Sequence, residues 1–150
     1  MRAFLLDQPT RSLGADQLRQ FGVLYERLPV AERAAEMTRI KRERGYVEED
    51  EVALSTETPN LDAICAKFDK EHYHTLDEVR FVIDGEGIFD VRDKNDQWVR
   101  IEVAKGDLII IPARTYHRFY LTGAKNIRCV RLFLNNEGWA PLYRETAVTA

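Results

Sequence analysis

His72, His74 and Glu78 stand within one stretch, EHYHTLDEVR, in a chain with a single further histidine, His117. Two imidazoles and a carboxylate are nitrogen and hard-oxygen donors without thiolate, a set that suits a divalent transition metal such as iron, nickel, manganese or zinc. Their spacing matters as much as their types. On an extended strand alternate side chains share a face, so His72, His74, Glu78 and Arg80 project together; on a helix His72 and His74 diverge by about 200° around the axis. The strand reading gathers a site and the helix reading scatters it. A fourth donor has to come from elsewhere, and His117 is the one imidazole left. It closes the string GDLIIIPARTYH, in which Gly106 and Pro112 bracket a buried strand and the histidine opens the next. A lone strand histidine is ordinarily a hydrogen-bonded or surface residue. Two short segments that hold every histidine of the chain favour a shared ion instead.

The bulk numbers limit what can hold these residues. A chain of 150 residues fits one domain, which buries roughly 70% of the surface its unfolded chain exposes. With 22 basic against 25 acidic residues and a net charge of -3, nothing suggests a phosphate-binding surface, and no nucleic-acid partner is expected. The opening MRAFLLDQPT is too brief an apolar run for a secretory signal, and no stretch approaches the roughly 18 residues of a membrane span. The expectation is a soluble, cytoplasmic protein without a membrane partner. Cys65 and Cys129 form no Cys-x-x-Cys pattern and read as two reduced, buried thiols outside the chemistry.

The amino-terminal third reads as helical. Asp16 to Phe21 suggests a short helix ended by Gly22, and VLYERL a strand with Val23, Tyr25 and Arg27 on one face. VAERAAEMTRIKRERG predicts a helix that starts after Pro29 and stops at Gly45 as its C-cap, with its charges on a solvated face. EEDE reads as an acidic turn, and Asn60 is placed to cap a helix over LDAICAKF, with Asp62 in its first turn. From residue 72 the pattern changes. Turn signals at DGEG, DKND, KGD and TGAKN separate short runs rich in Val, Ile, Phe and Tyr, and QWVRIEV alternates Val99, Ile101 and Val103 against Trp98, Arg100 and Glu102. Strands of this kind predict an antiparallel sandwich or barrel from about 72 to 133, with the helices packed outside it, in a single domain over 1–150.

HYHTLDEVRFVIDG followed by GDLIIIPARTYH resembles the two motifs of the cupin superfamily, a small β-barrel with a metal in its mouth. Two departures stand out: the first motif lacks its leading glycine, and Arg114 occupies the position of a glycine two residues after the proline. The narrower resemblance is to the acireductone dioxygenase family of methionine salvage, carried by FGVLYERL, TPNLDAICAKFDKEHYHTLDEVRFVIDGEGIFDVRD and IRCVRLF in the same order. It extends from residue 1 to about 133 and takes in helices and turns outside the metal motif.

That resemblance implies a mainly β fold with flanking α-helices, a cupin jelly-roll barrel. It implies one Fe(II) or Ni(II) per chain held by His72, His74, Glu78 and His117, and a monomer. The implied substrates are an acireductone with a methylthioethyl tail and O2. The iron form of the family yields 4-methylthio-2-oxobutanoate and formate, and the nickel form yields 3-methylthiopropanoate, formate and carbon monoxide. Arg80 matches an arginine beside the substrate, where its charge would favour the enediolate; the bland alternative is a surface arginine paired with Glu102 or Asp90. Phe68 and Phe119 match aromatics that wall the pocket. Asp77 is expected to be exposed and without a catalytic role, and Arg114, Tyr116 and Arg118 surround the fourth ligand. Two rival readings keep the same ligands: a cupin enzyme of another reaction, which would not need Arg80 or the phenylalanines, and a non-catalytic cupin that binds a small molecule.

Overall fold

The computed structural model describes residues 1–135 and 140–144. In chain order the elements are β1 (Arg2–Leu5), β2 (Gln8–Leu13), α1 (Ala15–Arg19), β3 (Leu24–Arg27), α2 (Arg33–Arg44), β4 (Glu48–Leu54), α3 (Leu61–Phe68), β5 (His72–Tyr73), β6 (Glu78–Arg92), β7 (Trp98–Ala104), β8 (Asp107–Ile111), β9 (His117–Leu121), β10 (Ile127–Phe133) and β11 (Leu142–Tyr143). A single 3₁₀ turn, Val30–Glu32, leads into α2.

β6 organises the molecule, because its two halves belong to different sheets. Residues 78–81 pair with β8 and residues 79–85 with β10, whereas 86–92 pair with β7 and 87–91 with β9, all antiparallel. One sheet therefore runs β3-β8-β6-β10-β4 and the other β2-β1-β7-β6-β9-β5-β11. They are continuous through β6, and the ladder is folded over on itself without closing. The expected jelly-roll is present as an open barrel.

The DGEG string was expected to be a turn, yet β6 runs straight through it. Here the strand bends from one sheet into the other. Gly85 has φ +76, and a Cβ there would fall on the carbonyl of Asn126; a Cβ on Gly87 would come within 2.7 Å of the Phe119 ring. A left-handed residue pressed against backbone is a position that only glycine fills without strain. The other signals, DKND, KGD and TGAKN, are turns between strands, with positive φ at Asp96, Gly106 and Lys125.

Apolar alternation produces two cores. Between the sheets lie Val82, Phe89, Val91, Val99, Ile101, Val103, Ile109 and Ile111, none more than 3% exposed. On the outer face of the β8-β6-β10 sheet, Phe81, Leu108, Val130 and Leu132 meet Met37 and Ile40 of α2 and the ring of Tyr46. Thus α2 packs outside the barrel, as expected. Gly45 ends it at φ 78, its N–H donating to the Lys41 carbonyl at 2.8 Å.

The amino-terminal third departs from its helical reading. It contributes four strands besides α1 and α2. β1 extends the sheet at β7 and buries Ala3 and Phe4; β2 folds back on it. Tertiary pairing decides these short segments, whose local pattern is weak. EEDE is not a turn but the start of β4, an edge strand opposite β10. Asp50 takes a bidentate contact from Arg131 (2.6 and 2.7 Å), and Glu51 accepts from Arg128 at 2.9 Å. Cross-strand arginines turn an acidic run into half of an ion-pair ladder. Asn60 occupies the N-cap of α3 but at φ 58, and its side chain does not cap.

Gly85→Ala is expected to destabilise the protein by about 3 kcal/mol or more, since the left-handed backbone and the Asn126 carbonyl both resist a methyl group. Urea unfolding of the purified variant measures this, and a midpoint equal to that of the parent chain would contradict it.

Candidate metal centre and its cavity

The EHYHTLDEVR stretch does not stay extended. β5 ends at Tyr73, and residues 74–77 turn before β6 begins at Glu78. Asp77 pins that turn. Its carboxylate accepts the Ala113 N–H at 2.9 Å and the Tyr46 hydroxyl at 2.8 Å, with Arg44 at 3.5 Å, while the His74 carbonyl accepts the Arg114 N–H at 2.8 Å. Asp77 is thus half-buried rather than exposed, and joins α2, the turn and the Pro112 loop. Arg114 stands at φ 63, the left-handed backbone for which the cupin pattern uses glycine. These contacts deliver Glu78 to the start of β6. His72 and His117 are register partners across β5 and β9. The four residues converge through a pinned turn and a strand pair, not through one continuous strand face.

His72, His74 and His117 are 1%, 5% and 2% exposed, Glu78 is 8% exposed, and one ring nitrogen of each histidine lies within 4.8 Å of the others. Each Nδ1 faces a backbone carbonyl: His72 the Lys70 oxygen at 2.6 Å, His74 the Ala140 oxygen at 3.2 Å, and His117 the Thr115 oxygen at 2.8 Å. A carbonyl can only accept, so these contacts assign a proton to Nδ1, and in the neutral ring Nε2 is then the lone pair. The Nε2 of His74 lies 3.4 Å from one oxygen of Glu78, and that of His117 lies 3.0 Å from the other. His74 Nε2, His117 Nε2 and Glu78 Oε2 are buried without a hydrogen-bond partner among the described residues. Acceptors that face one another in a dry interior are costly unless a cation or a proton lies between them.

The protonation states suit a cation. Burial, with His117 beside it, pushes the His72 imidazole down to about 4, so it is neutral near pH 7. Burial alone would raise Glu78, but the guanidinium charge of Arg80 beside it outweighs burial and holds the carboxyl well below its usual range. An ionised carboxylate and neutral imidazoles are the forms that ligate metals. Carbonyls that fix the far nitrogen of each ring are also the usual support of metal-binding histidines. The donor set therefore fits a divalent transition metal.

Arg80 donates to Glu78 Oε1 at 2.9 Å and to the Val79 carbonyl at 3.0 Å. Its alternative partners are engaged elsewhere: Asp90 is held by Arg100 and Arg118 at 2.8–2.9 Å, and Glu102 faces Arg2 at 3.4 Å. Beside Arg80 opens a cavity of about 250 Å³ that reaches His72 and Glu78. Phe68 from the end of α3 and Phe119 from β9 line it, as does Phe89. Phe119 rests on Phe89 with ring centroids 4.9 Å apart.

The residues around His117 divide. Thr115 holds the ring, whereas Arg118 turns to Asp90 and, with Arg92, sandwiches Trp98 at 4.1 and 3.8 Å. Tyr116 meets Tyr73 and Arg144. Sequence reasoning missed the rest of the cavity wall: Val52 and Leu54 of β4, Ile64 of α3, and Ile127, Cys129 and Arg131 of β10. The only signal was that Val52 and Leu54, and likewise Ile127, Cys129 and Arg131, are two apart in runs of β character. Both cysteines are free, but Cys65 is half-buried and Cys129 belongs to this wall.

Comparison with known proteins agrees with this geometry. The acireductone dioxygenase of Heterostelium pallidum is 48% identical over 132 residues, covering 88% of this chain and 90% of that protein. Its counterpart in Dictyostelium discoideum is 43% identical over 149 residues (96% and 99%), and the human one 40% over 139 residues (91% and 78%). Among solved structures, acireductone dioxygenase from Bacillus anthracis with a cadmium ion in its active centre superposes with a TM-score of 0.89 at 30% identity, covering 95% of this chain and 97% of that one. Residues 6–141 match the model of the ARD/ARD' family, and the chain belongs to that family.

Proposed function

We propose that this chain is a metal-dependent acireductone dioxygenase, with His72, His74, Glu78 and His117 as the ligands of one Fe(II) or Ni(II). The observation that carries the reading is the set of unpartnered acceptors, His74 Nε2, His117 Nε2 and Glu78 Oε2, buried next to a cavity that also contains a guanidinium and aromatic walls. When bound, the metal supplies a Lewis acid that holds the substrate in its anionic form, open to attack by O2.

The protein's own groups do the rest. Arg80, in the cavity wall and 2.9 Å from Glu78, favours the enediolate over the neutral enediol, an effect that grows where water is excluded. Phe68 and Phe119 exclude that water and fix the plane of the substrate. The iron form would release 4-methylthio-2-oxobutanoate and formate; the nickel form would release 3-methylthiopropanoate, formate and carbon monoxide. The proposed enzyme is a monomer, and the two sheets continuous through β6 support a single domain. No described helix is long and apolar enough to cross a membrane, in keeping with a cytoplasmic enzyme.

Apoprotein reloaded with iron or with nickel should consume acireductone only in the presence of O2, with products that change with the ion; no consumption by protein holding one metal per chain would refute the assignment. His74→Ala should lose most bound metal, read by elemental analysis, and keep the β-rich circular dichroism spectrum, because the two cores do not depend on the ion. Arg80→Ala should retain metal while kcat/KM falls on the order of 10²-fold, the scale of removing one charge-stabilising donor. Unchanged turnover would take Arg80 out of the mechanism.

A further inference from the structure

The cavity beside the histidines is charged at one end and apolar beyond it, and strand register shows how the change runs. On β10, Arg131, Cys129 and Ile127 line the cavity at alternate positions, and their partners on β4 are Asp50, Val52 and Leu54. Arg131 is also the register partner of Arg80 on β6. From Arg131 to Ile127 the wall passes from a guanidinium clamped by Asp50, to a thiol, to an aliphatic chain, in two steps of roughly 7 Å each. Cys129 stands in the middle and is 3% exposed. Burial pushes its thiol up to about 11, so it is a neutral and small piece of wall. Ile64 of α3 lines the same side-chain channel.

The acireductone reading puts the substrate's unbranched, uncharged tail in this channel, and we propose that Cys129 sets how long a tail the channel accepts. The polar head stays beside Arg80 and Glu78, and the tail runs along β10 to end at Cys129, with Ile127 and Leu54 beyond it. A polar tail would lose its water there against Val52, Leu54 and Ile127, whose side chains offer no hydrogen bond. This inference rests on the acireductone reading and names the part of the substrate that the enzyme selects by shape.

The test uses the metal-loaded full chain and synthetic acireductones with unbranched tails of two, four and six heavy atoms. In Cys129→Leu the ratio of kcat/KM for the four-atom over the two-atom tail should fall by about tenfold, the scale that one or two methylenes command in an apolar pocket. In Cys129→Ala the preference should move toward the six-atom tail, which keeps the test open if the leucine variant does not fold. Ratios equal to those of the parent in both variants overturn the channel and leave the dioxygenase standing. Calorimetric binding of butanoate, hexanoate and octanoate separates the two readings. Affinity that rises with chain length and shifts with the side chain at 129 supports the channel even where no acireductone is consumed; affinity indifferent to both overturns it.

Discussion

Glu78 is a buried, ionised carboxylate with a cation on one side only. Arg80 covers one oxygen, which His74 Nε2 also faces, and the other oxygen faces His117 Nε2 and has no hydrogen-bond partner among the described residues. Among the described residues the other two deeply buried carboxylates are treated differently: Asp90 is enclosed by two arginines, and Asp107 takes the Tyr25 hydroxyl, the Ala104 N–H and Arg27. Both are satisfied within the fold. Glu78 is not, and a second positive charge is the only partner that satisfies it together with His74 and His117. The rest of the structure can be understood as the means of holding those acceptors in place against their mutual repulsion.

β6 is the principal means. It carries Glu78 and Arg80 at one end, serves both sheets, and contributes to both cores, with Val82, Phe89 and Val91 in one and Val79, Phe81 and Ile83 in the other. A strand anchored on both faces cannot rotate to relieve an unfavourable contact at its end. The two glycines at its bend have separate tasks. Gly85 lets the backbone cross between sheets against Asn126, and Gly87 leaves the space that Phe119 occupies. Fold and cavity are therefore set by the same few residues, and the apolar wall beside His72 and Glu78 is the inner face of the barrel itself.

Much of this was legible in the sequence. Donor type and spacing marked His72, His74, Glu78 and His117, and family resemblance added Arg80, Phe68 and Phe119; His72, Glu78, Arg80, Phe68 and Phe119 line one cavity, and a ring nitrogen of each of the three histidines lies within 4.8 Å of the others. Alternation gave the two faces of β7, with Val99, Ile101 and Val103 buried, and Gly45 gave the end of α2. What stayed hidden depended on long-range pairing. β1 and β2 exist because β7 offers them an edge, and β4 is a strand because Arg131 and Arg128 neutralise its acids. DGEG has the composition of a turn, and only the presence of strands on both sides of β6 makes it a bend. Asp77 looked like a solvated acid because its partners, Tyr46 and Ala113, are about 30 or more positions away.

The tautomers of the three histidines are set by the chain path and not by side chains. Their Nδ1 partners are the carbonyls of Lys70, Ala140 and Thr115, two of which lie two residues before the histidine they hold. A carbonyl cannot be removed by substitution and does not change its charge with pH, so the orientation of His72 and His117 is written into the local backbone. His74 is the exception: its partner comes from 66 residues away, on the segment that pairs through β11 with β5. Its orientation depends on the seated carboxy-terminal segment, while the other two rings are held by carbonyls two residues before them. Of the three imidazoles, His74 alone is held by a carbonyl distant in sequence, so the arrangement of the three rings depends on the carboxy-terminal segment as well as on the two histidine motifs.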